Sequence, residues 1–209
     1  MICLLLLLLV KFFLNLLKNS VFDVIMFLVF NGCIVILVTS IDVIFFGGDY
    51  MRKFEKISFS QFSRDICDDK SLYDEYILPK RATLKSAGYD FYAISDFVIH
   101  PGEVLRVPTG VKACMSDDEA LMLYVRSSMG FKYNVRLTNQ VGVIDSDYYN
   151  NPDNEGHMWL SLQNHGDRDF VCKKGCAFGQ GVFTKFLVTD DDDASGSRVS
   201  GIGSTTKEG

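Results

Sequence analysis

Hydrophobic and polar positions change rhythm along this chain, and each change predicts a different element. Leu4 to Leu9 is unbroken leucine, and Val24 to Ile41 is a run of eighteen residues without a charged side chain, near the lower length limit of a membrane-spanning helix. From Met51 the pattern is that of a globular domain. Phe54 to Ile57 predicts a first strand, and Phe59, Phe62 and Ile66, three and four apart, predict a helix over Ser58 to Ile66. From Phe97 onward, short apolar runs alternate with turn residues. Leu121, Leu123 and Val125 alternate with Met122 and Tyr124; Met158, Leu160 and Leu162 alternate with Trp159, Ser161 and Gln163. A period of two puts one face of each strand in a core. Pro101-Gly102, Asn150 to Gly156 and Gly166-Asp167 break the runs, and Val182 to Val188 reads as the last strand. Ser128 to Tyr133 predicts one helical turn with its amides toward Arg126 and Ser127, a geometry suited to phosphate. The expected fold class is all-β with one short helix, preceded by a hydrophobic helical N-terminal extension.

Three segments follow: an apolar extension over 1–50, a β domain over 51–189, and an acidic linker with a flexible arm over 190–209. Taken literally, the extension is a membrane anchor, because so much apolar surface does not stay in water. No small-residue cleavage site follows the leucine run. The preferred expectation is an over-extended start: Met51-Arg52-Lys53 opens a globular sequence of 159 residues, an ordinary single-domain length. Localisation is then cytoplasmic, with membrane anchoring through 1–50 as the alternative. Asp190 to Asp193 lead into a tail rich in Gly and Ser, which builds no core alone and is suited to folding over a bound ligand.

Charge narrows the partners. Lys+Arg 21 against Asp+Glu 26 gives a formal net charge of -5, so no basic surplus supports nucleic-acid binding. A triphosphate still fits, since a few directed cations and backbone amides matter more there than net charge. Cys3, Cys33, Cys67, Cys114, Cys172 and Cys176 lack a zinc-ligand rhythm and read as free thiols. His100, His157 and His165 are dispersed and carry no assigned chemistry.

Candidate chemistry begins at Asn139-Gln140-Val141-Gly142-Val143-Ile144-Asp145-Ser146-Asp147-Tyr148, which sets two carboxylates and a phenol just past an apolar strand. Alone this is a polar turn. It stands, however, in order with Ser86-Ala87-Gly88-Tyr89-Asp90-Phe91-Tyr92-Ala93, Arg126-Ser127-Ser128-Met129-Gly130, Gly175 to Phe183, and Arg198-Val199-Ser200-Gly201-Ile202-Gly203-Ser204-Thr205. With these five segments, from about Leu78 to Thr205, the chain resembles the trimeric dUTPase family.

The resemblance implies a distorted jelly-roll or β-barrel domain that hydrolyses dUTP to dUMP and pyrophosphate with Mg2+. Asp145 matches the carboxylate that activates the attacking water. Asn139 matches the uracil-facing amide, and Tyr148 the ring beneath deoxyribose that leaves no room for a 2′-hydroxyl. Arg126, Ser127, Ser128 and Gln180 match phosphate contacts, and Asp90 matches the aspartate that holds magnesium through water. Arg198, Ile202, Gly203 and Ser204 match the arm that closes over the nucleotide in a neighbouring subunit of a homotrimer. Departures are visible. Cys176 and Ala177 stand in place of an Asp-Arg pair, Ile202 in place of a base-stacking phenylalanine, and Asn150 to Gly156 lengthens the loop after Tyr148. The alternatives weighed are a dCTP deaminase-like enzyme, which lacks the Asp-Ser-Asp-Tyr arrangement, and a nucleotide-sensing regulatory protein on the same fold. A pure scaffold has no physical need for Asp145, Asn139, Arg126 and Tyr148 together.

Overall fold

The structure, a computed structural model, describes residues 52–196 and 198, together with the backbone of two strands before them. Those strands, β1 (Met26–Phe30) and β2 (Cys33–Leu37), pair antiparallel with Phe30 opposite Cys33. The expectation of helix in the apolar extension is corrected there. Phe, Val and Ile dominate both runs, and Asn31-Gly32 between them is a strong two-residue hairpin sequence. The chain divides into two units, Met1–Gly48 and Asp49–Gly209. Among the described residues no helix is long and apolar enough to cross a membrane.

The second unit is mostly strand, as expected. In chain order it has β3 (Lys53–Lys56), α1 (Phe59–Asp65), α2 (Lys70–Glu75), β4 (Lys80–Arg81), β5 (Tyr89–Tyr92), β6 (Phe97–Ile99), β7 (Val104–Pro108), β8 (Val111–Cys114), β9 (Glu119–Val125), α3 (Ser127–Tyr133), β10 (Val135–Leu137), β11 (Gly142–Asp145), β12 (Trp159–Asn164), β13 (Phe170–Cys172) and β14 (Ala177–Lys185). A five-stranded sheet, β11-β9-β14-β5-β4, faces a three-stranded sheet, β10-β12-β7, and the pairs β13-β6 and β3-β8 complete a distorted jelly roll.

The alternation read from the sequence is what builds this sandwich. On β9, Leu121 and Leu123 are buried while Met122 and Tyr124 are half-exposed; on β12, Leu160 and Leu162 are fully inside. Each such side chain contributes about 1.5–3 kcal/mol relative to exposure. Between the sheets there is no spare volume at Gly179 of β14, where a Cβ would overlap Leu160 Cδ2. The sandwich also excludes unpaired charge. Glu119 is 2% exposed and is held by Arg52, whose Nε lies 2.8 and 2.7 Å from its two carboxylate oxygens.

One short helix was expected, and more are present. Ser58 caps α1 by accepting the Gln61 amide at 3.1 Å, and α1 occupies the expected stretch. The unanticipated α2 is capped by Asp69, which accepts the Leu72 amide at 3.0 Å. Phe62 of α1 stacks on Tyr76 with centroids 5.5 Å apart, and Tyr73 closes on both edges. These aromatic contacts, rather than helix propensity, hold six- and seven-residue helices that would not form alone.

His157, fully buried, ties α1 to the sandwich. Its Nε2 accepts the Gly110 amide proton at 2.9 Å and its Nδ1 lies 2.6 Å from an Asp65 oxygen. The ring is therefore neutral with its proton on Nδ1, and burial holds its pKa below the ordinary imidazole value.

Two stability tests follow from this packing. Gly179→Ala should cost about 1–3 kcal/mol through overpacking, whereas Gly130→Ala, a helical position where a Cβ meets nothing within 4 Å, should gain up to about 1 kcal/mol; urea midpoints read both. For His157, the unfolded chain takes up the imidazole proton more readily than the folded one. Stability is thus complete above about pH 6.5 and declines as the pH drops below it. Urea midpoints at about pH 7.5 and about pH 5.5, on either side of that value, should show the loss, and His157→Gln should flatten the slope while lowering both values.

Candidate active site

Strand register decides which candidate residues meet. Strand β11 pairs with β9 so that Asp145 lies opposite Ala120, and the chain then turns through a short 3-10 helix, Ser146–Tyr148. The tight turn before β11 has Gln140 in the left-handed region, φ 63, with its amide on the Leu137 carbonyl at 3.0 Å. That turn exposes Asn139 beside the start of β11. Asn139, Asp145, Tyr148 and Arg198 consequently line one cavity of about 640 Å³.

Tyr148 is the most constrained of these. Its side chain is buried, and its hydroxyl donates to the His157 carbonyl at 3.0 Å while accepting from Asn154 Nδ2 at 2.8 Å. Burial raises its pKa, so the phenol stays a donor across the physiological range. Asp145 and Asp147, by contrast, are about half exposed, at 51% and 53% of their side-chain surface. Arg198 bridges them: one guanidinium nitrogen bonds Asp145, Nε bonds Asp147 at 2.8 Å, and the group lies 5.7 Å from the Tyr148 ring centroid. Within the chain, then, Arg198 sits on the carboxylate pair, where the resemblance implied a phosphate contact.

A second group forms elsewhere on the same sheet. Asp90 of β5 lies opposite Gln180 of β14, which lies opposite Tyr124 of β9. Arg126, next beyond β9, reaches Asp90 with Nε 3.2 Å from Oδ1. Gln180 Nε2 donates to the Val125 carbonyl at 3.3 Å, and a Cβ at Gly88 would come within 2.5 Å of its Oε1, so any side chain there displaces it. Ser127 and Ser128 are exposed in the first turn of α3 beside Arg126. Position 126 is six residues from Ala120 along the strand, about 20 Å at the usual rise. The phosphate-type residues and Asp145 do not meet within one chain.

Ile202, Gly203 and Ser204 lie outside the described residues. The sequence reading missed Arg106, Asn154, Trp159 and Ser161, all of which line the cavity. Arg106 lies opposite Ser161 in the β7–β12 pair, a juxtaposition with no local signal. Among the described residues no group of three or more His, Cys, Asp or Glu is arranged to hold a metal ion. Cys67, Cys114, Cys172 and Cys176 are free thiols, as expected, and burial pushes the Cys172 thiol up to about 12.

Comparison with known proteins identifies the family. The dUTPase family model matches residues 74–206. Deoxyuridine 5′-triphosphate nucleotidohydrolase of Lactococcus lactis is 49% identical over 130 residues, covering 61% of this chain and 87% of that relative. The crystal structure of dUTPase from Streptococcus mutans superposes with a TM-score of 0.55 at 43% identity, covering 66% of this chain and 98% of that one. The dUTPase of phage phi11 of S. aureus, at 14% identity and a TM-score of 0.52, covers 70% of this chain and 97% of its own and shares the fold. The chain belongs to the dUTPase family.

Proposed function

We propose that the cavity between Asn139 and Asp145 is the base, sugar and α-phosphate site of a dUTP diphosphatase, in which dUTP is hydrolysed to dUMP and pyrophosphate. The observation that carries this reading is the convergence of Asn139, Asp145 and Tyr148 on one cavity in a chain of the dUTPase family. Asn139 offers an amide donor and acceptor to the uracil edge. Tyr148, rigid at both ring and hydroxyl, excludes a 2′-hydroxyl by its volume. Asp145 orients a water molecule toward the α-phosphorus. As the water oxygen bonds to phosphorus, its proton passes to the Asp145 carboxylate, and the bond to the β-phosphate oxygen breaks with its electron pair, releasing pyrophosphate. A carboxylate is a weak base, so alignment and charge stabilisation supply most of the acceleration.

Magnesium belongs to the same reading. Asp90 is an oxygen donor of the kind Mg2+ takes, and the ion keeps several waters and substrate oxygens. Asp90 together with the triphosphate therefore suffices without an enclosing protein cage, and the ion would neutralise phosphate charge. A structural Mg(II) ion is named for a point mutant of the phage phi11 dUTPase. Arg126, Ser127, Ser128 and Gln180 supply guanidinium, hydroxyl and amide donors beside Asp90, which suits phosphate oxygens by charge and geometry.

The separation of about 20 Å along β9 supports an oligomer in which this phosphate cluster serves the Asp145 of another copy, with a homotrimer and an exchanged C-terminal arm as the arrangement proposed. Arg198 must release Asp145 for proton transfer, and the polyphosphate is the competing anion. The free thiols fit a reducing cytoplasm as the place of action.

Asp145→Asn should keep the fold and dUTP affinity while lowering kcat by about 10²–10⁴, read by pyrophosphate release and calorimetry; absence of product from the unaltered chain with dUTP and Mg2+ would refute the activity. Mixing Asp145→Asn protein with Arg198→Ala protein and letting subunits exchange should restore activity beyond the sum of the two alone. Strictly additive rates would mean that the arm serves its own chain.

A further inference from the structure

Residues before position 74 lie outside the segment matched by the family, yet they are bonded to the loop that carries Tyr148. Ser58, the cap of α1, gives its amide at 2.9 Å and its hydroxyl at 2.5 Å to the Glu155 carboxylate. Asp65, at the end of α1, holds His157 Nδ1 at 2.6 Å. The His157 carbonyl in turn accepts the Tyr148 hydroxyl. Asn154, just before those two attachments, is held at both ends of its amide: its Oδ1 takes the Asn151 side-chain amide at 2.8 Å and the Gly156 amide at 3.0 Å, and its Nδ2 donates to the Tyr148 hydroxyl.

The loop needs this bracing. Asn150 and Glu155 adopt left-handed backbone at φ 57 and 59, which non-glycine residues hold only when surroundings over-determine them. Gly156 follows at φ +81, with a Cβ there coming within 2.5 Å of the Tyr148 carbonyl. Tyr148 rests on a floor that is neither strand nor long helix, and its ring plane is fixed from the hydroxyl end.

We infer that Asn154 and Asp65 are positioning residues for sugar selection: Asn154 directly, and Asp65 through His157, hold the Tyr148 phenol so that its ring stays where a 2′-hydroxyl would need to go. This rests on the reading of the cavity as the dUTP site. A steric filter discriminates only as well as its wall resists displacement, since a ring free to tilt makes room for one oxygen. Neither residue touches the reacting atoms, so their loss acts on the competition between deoxyribose and ribose more than on the chemical step.

The experiment compares kcat/KM for dUTP and UTP in the full chain, with melting temperatures alongside. Asn154→Ala should lower the dUTP-to-UTP ratio of kcat/KM at least tenfold, chiefly because UTP is used better. Tyr148→Phe, which keeps the ring and removes the tether, should lower the ratio to a similar extent, and the double variant should be no worse than either. Asp65→Ala should follow, and Asp65→Asn, which keeps an acceptor for His157 Nδ1, should recover most of the ratio. A lowered melting temperature with an unchanged ratio, or effects of Asn154→Ala and Tyr148→Phe that multiply, would overturn the inference. The near-isosteric Tyr148→Phe and Asp65→Asn keep the test decisive if an alanine variant does not fold. Loss of the inference leaves dUTP turnover by the unaltered chain intact, whereas failure of that turnover removes the underlying reading.

Discussion

Strand β9 gives one of its edges to β11 and the other to β14, and this double pairing fixes Asp145, Gln180 and Asp90 along a single ruler. Asp145 is opposite Ala120 at one end; Asp90, Gln180 and Tyr124 form a row at the other, with Arg126 just beyond. Because side chains alternate strictly along strands, a one-residue slip in either pairing would send the set to the wrong face. The slip is resisted by Leu121 and Leu123, whose burial specifies the face, and by Gly179 and Gly181, where a Cβ would crowd Leu160, Phe91 and Leu121. Core packing and site geometry are thus the same constraint. It also forbids Asp145 from meeting Arg126 in its own chain, which is the physical ground for the proposed sharing of sites between copies.

Electrostatics at the Asp145 end has a different character. Asp145 and Asp147 are half-exposed carboxylates two residues apart, and Arg198 from the tail lies across both. Solvent screens the contact from the side of the two half-exposed carboxylates, although the Arg198 side chain is 15% exposed, which keeps the contact exchangeable. A triphosphate offers the same guanidinium several charge-assisted bonds. Arg198 can therefore exchange the carboxylates for the triphosphate. A buried Arg–Asp pair would have held the carboxylate too firmly to serve as a base.

Much of this was legible, and the failures have physical causes. The alternation in β9 and β12 was readable because each strand has one buried face. Strand β14 was expected from Val182 but begins at Ala177, because tertiary packing demands small residues at Gly179 and Gly181 and local pattern does not show that demand. Helix α2 was missed because six residues are too short for a periodic signal. The N-terminal run was expected as helix since hydrophobicity alone does not separate helix from strand, and Asn31-Gly32 was the overlooked cue. In the site, Asn139, Asp145 and Tyr148 are close in sequence, so their convergence was foreseeable. Arg106 and Asn154 were not. One joins the cavity through cross-strand register and the other through a loop whose conformation depends on residues far away in sequence, Ser58 and Asp65.

The loop after Tyr148 shows how residues distant in sequence steady a site without supplying the reacting groups. A surface loop by itself leaves whatever it carries mobile. Here the loop is tied down by α1, which lies outside the family-matched segment. Ser58 meets Glu155, Arg64 reaches the Asp153 carbonyl at 3.4 Å, and Asp65 meets His157. Helix and loop therefore depend on one another. A free loop would leave Tyr148 a poor wall, and α1 without the loop would leave the Asp65 carboxylate facing no imidazole. Their mutual dependence is the reason to treat helix and loop as one device rather than as separate surface ornaments.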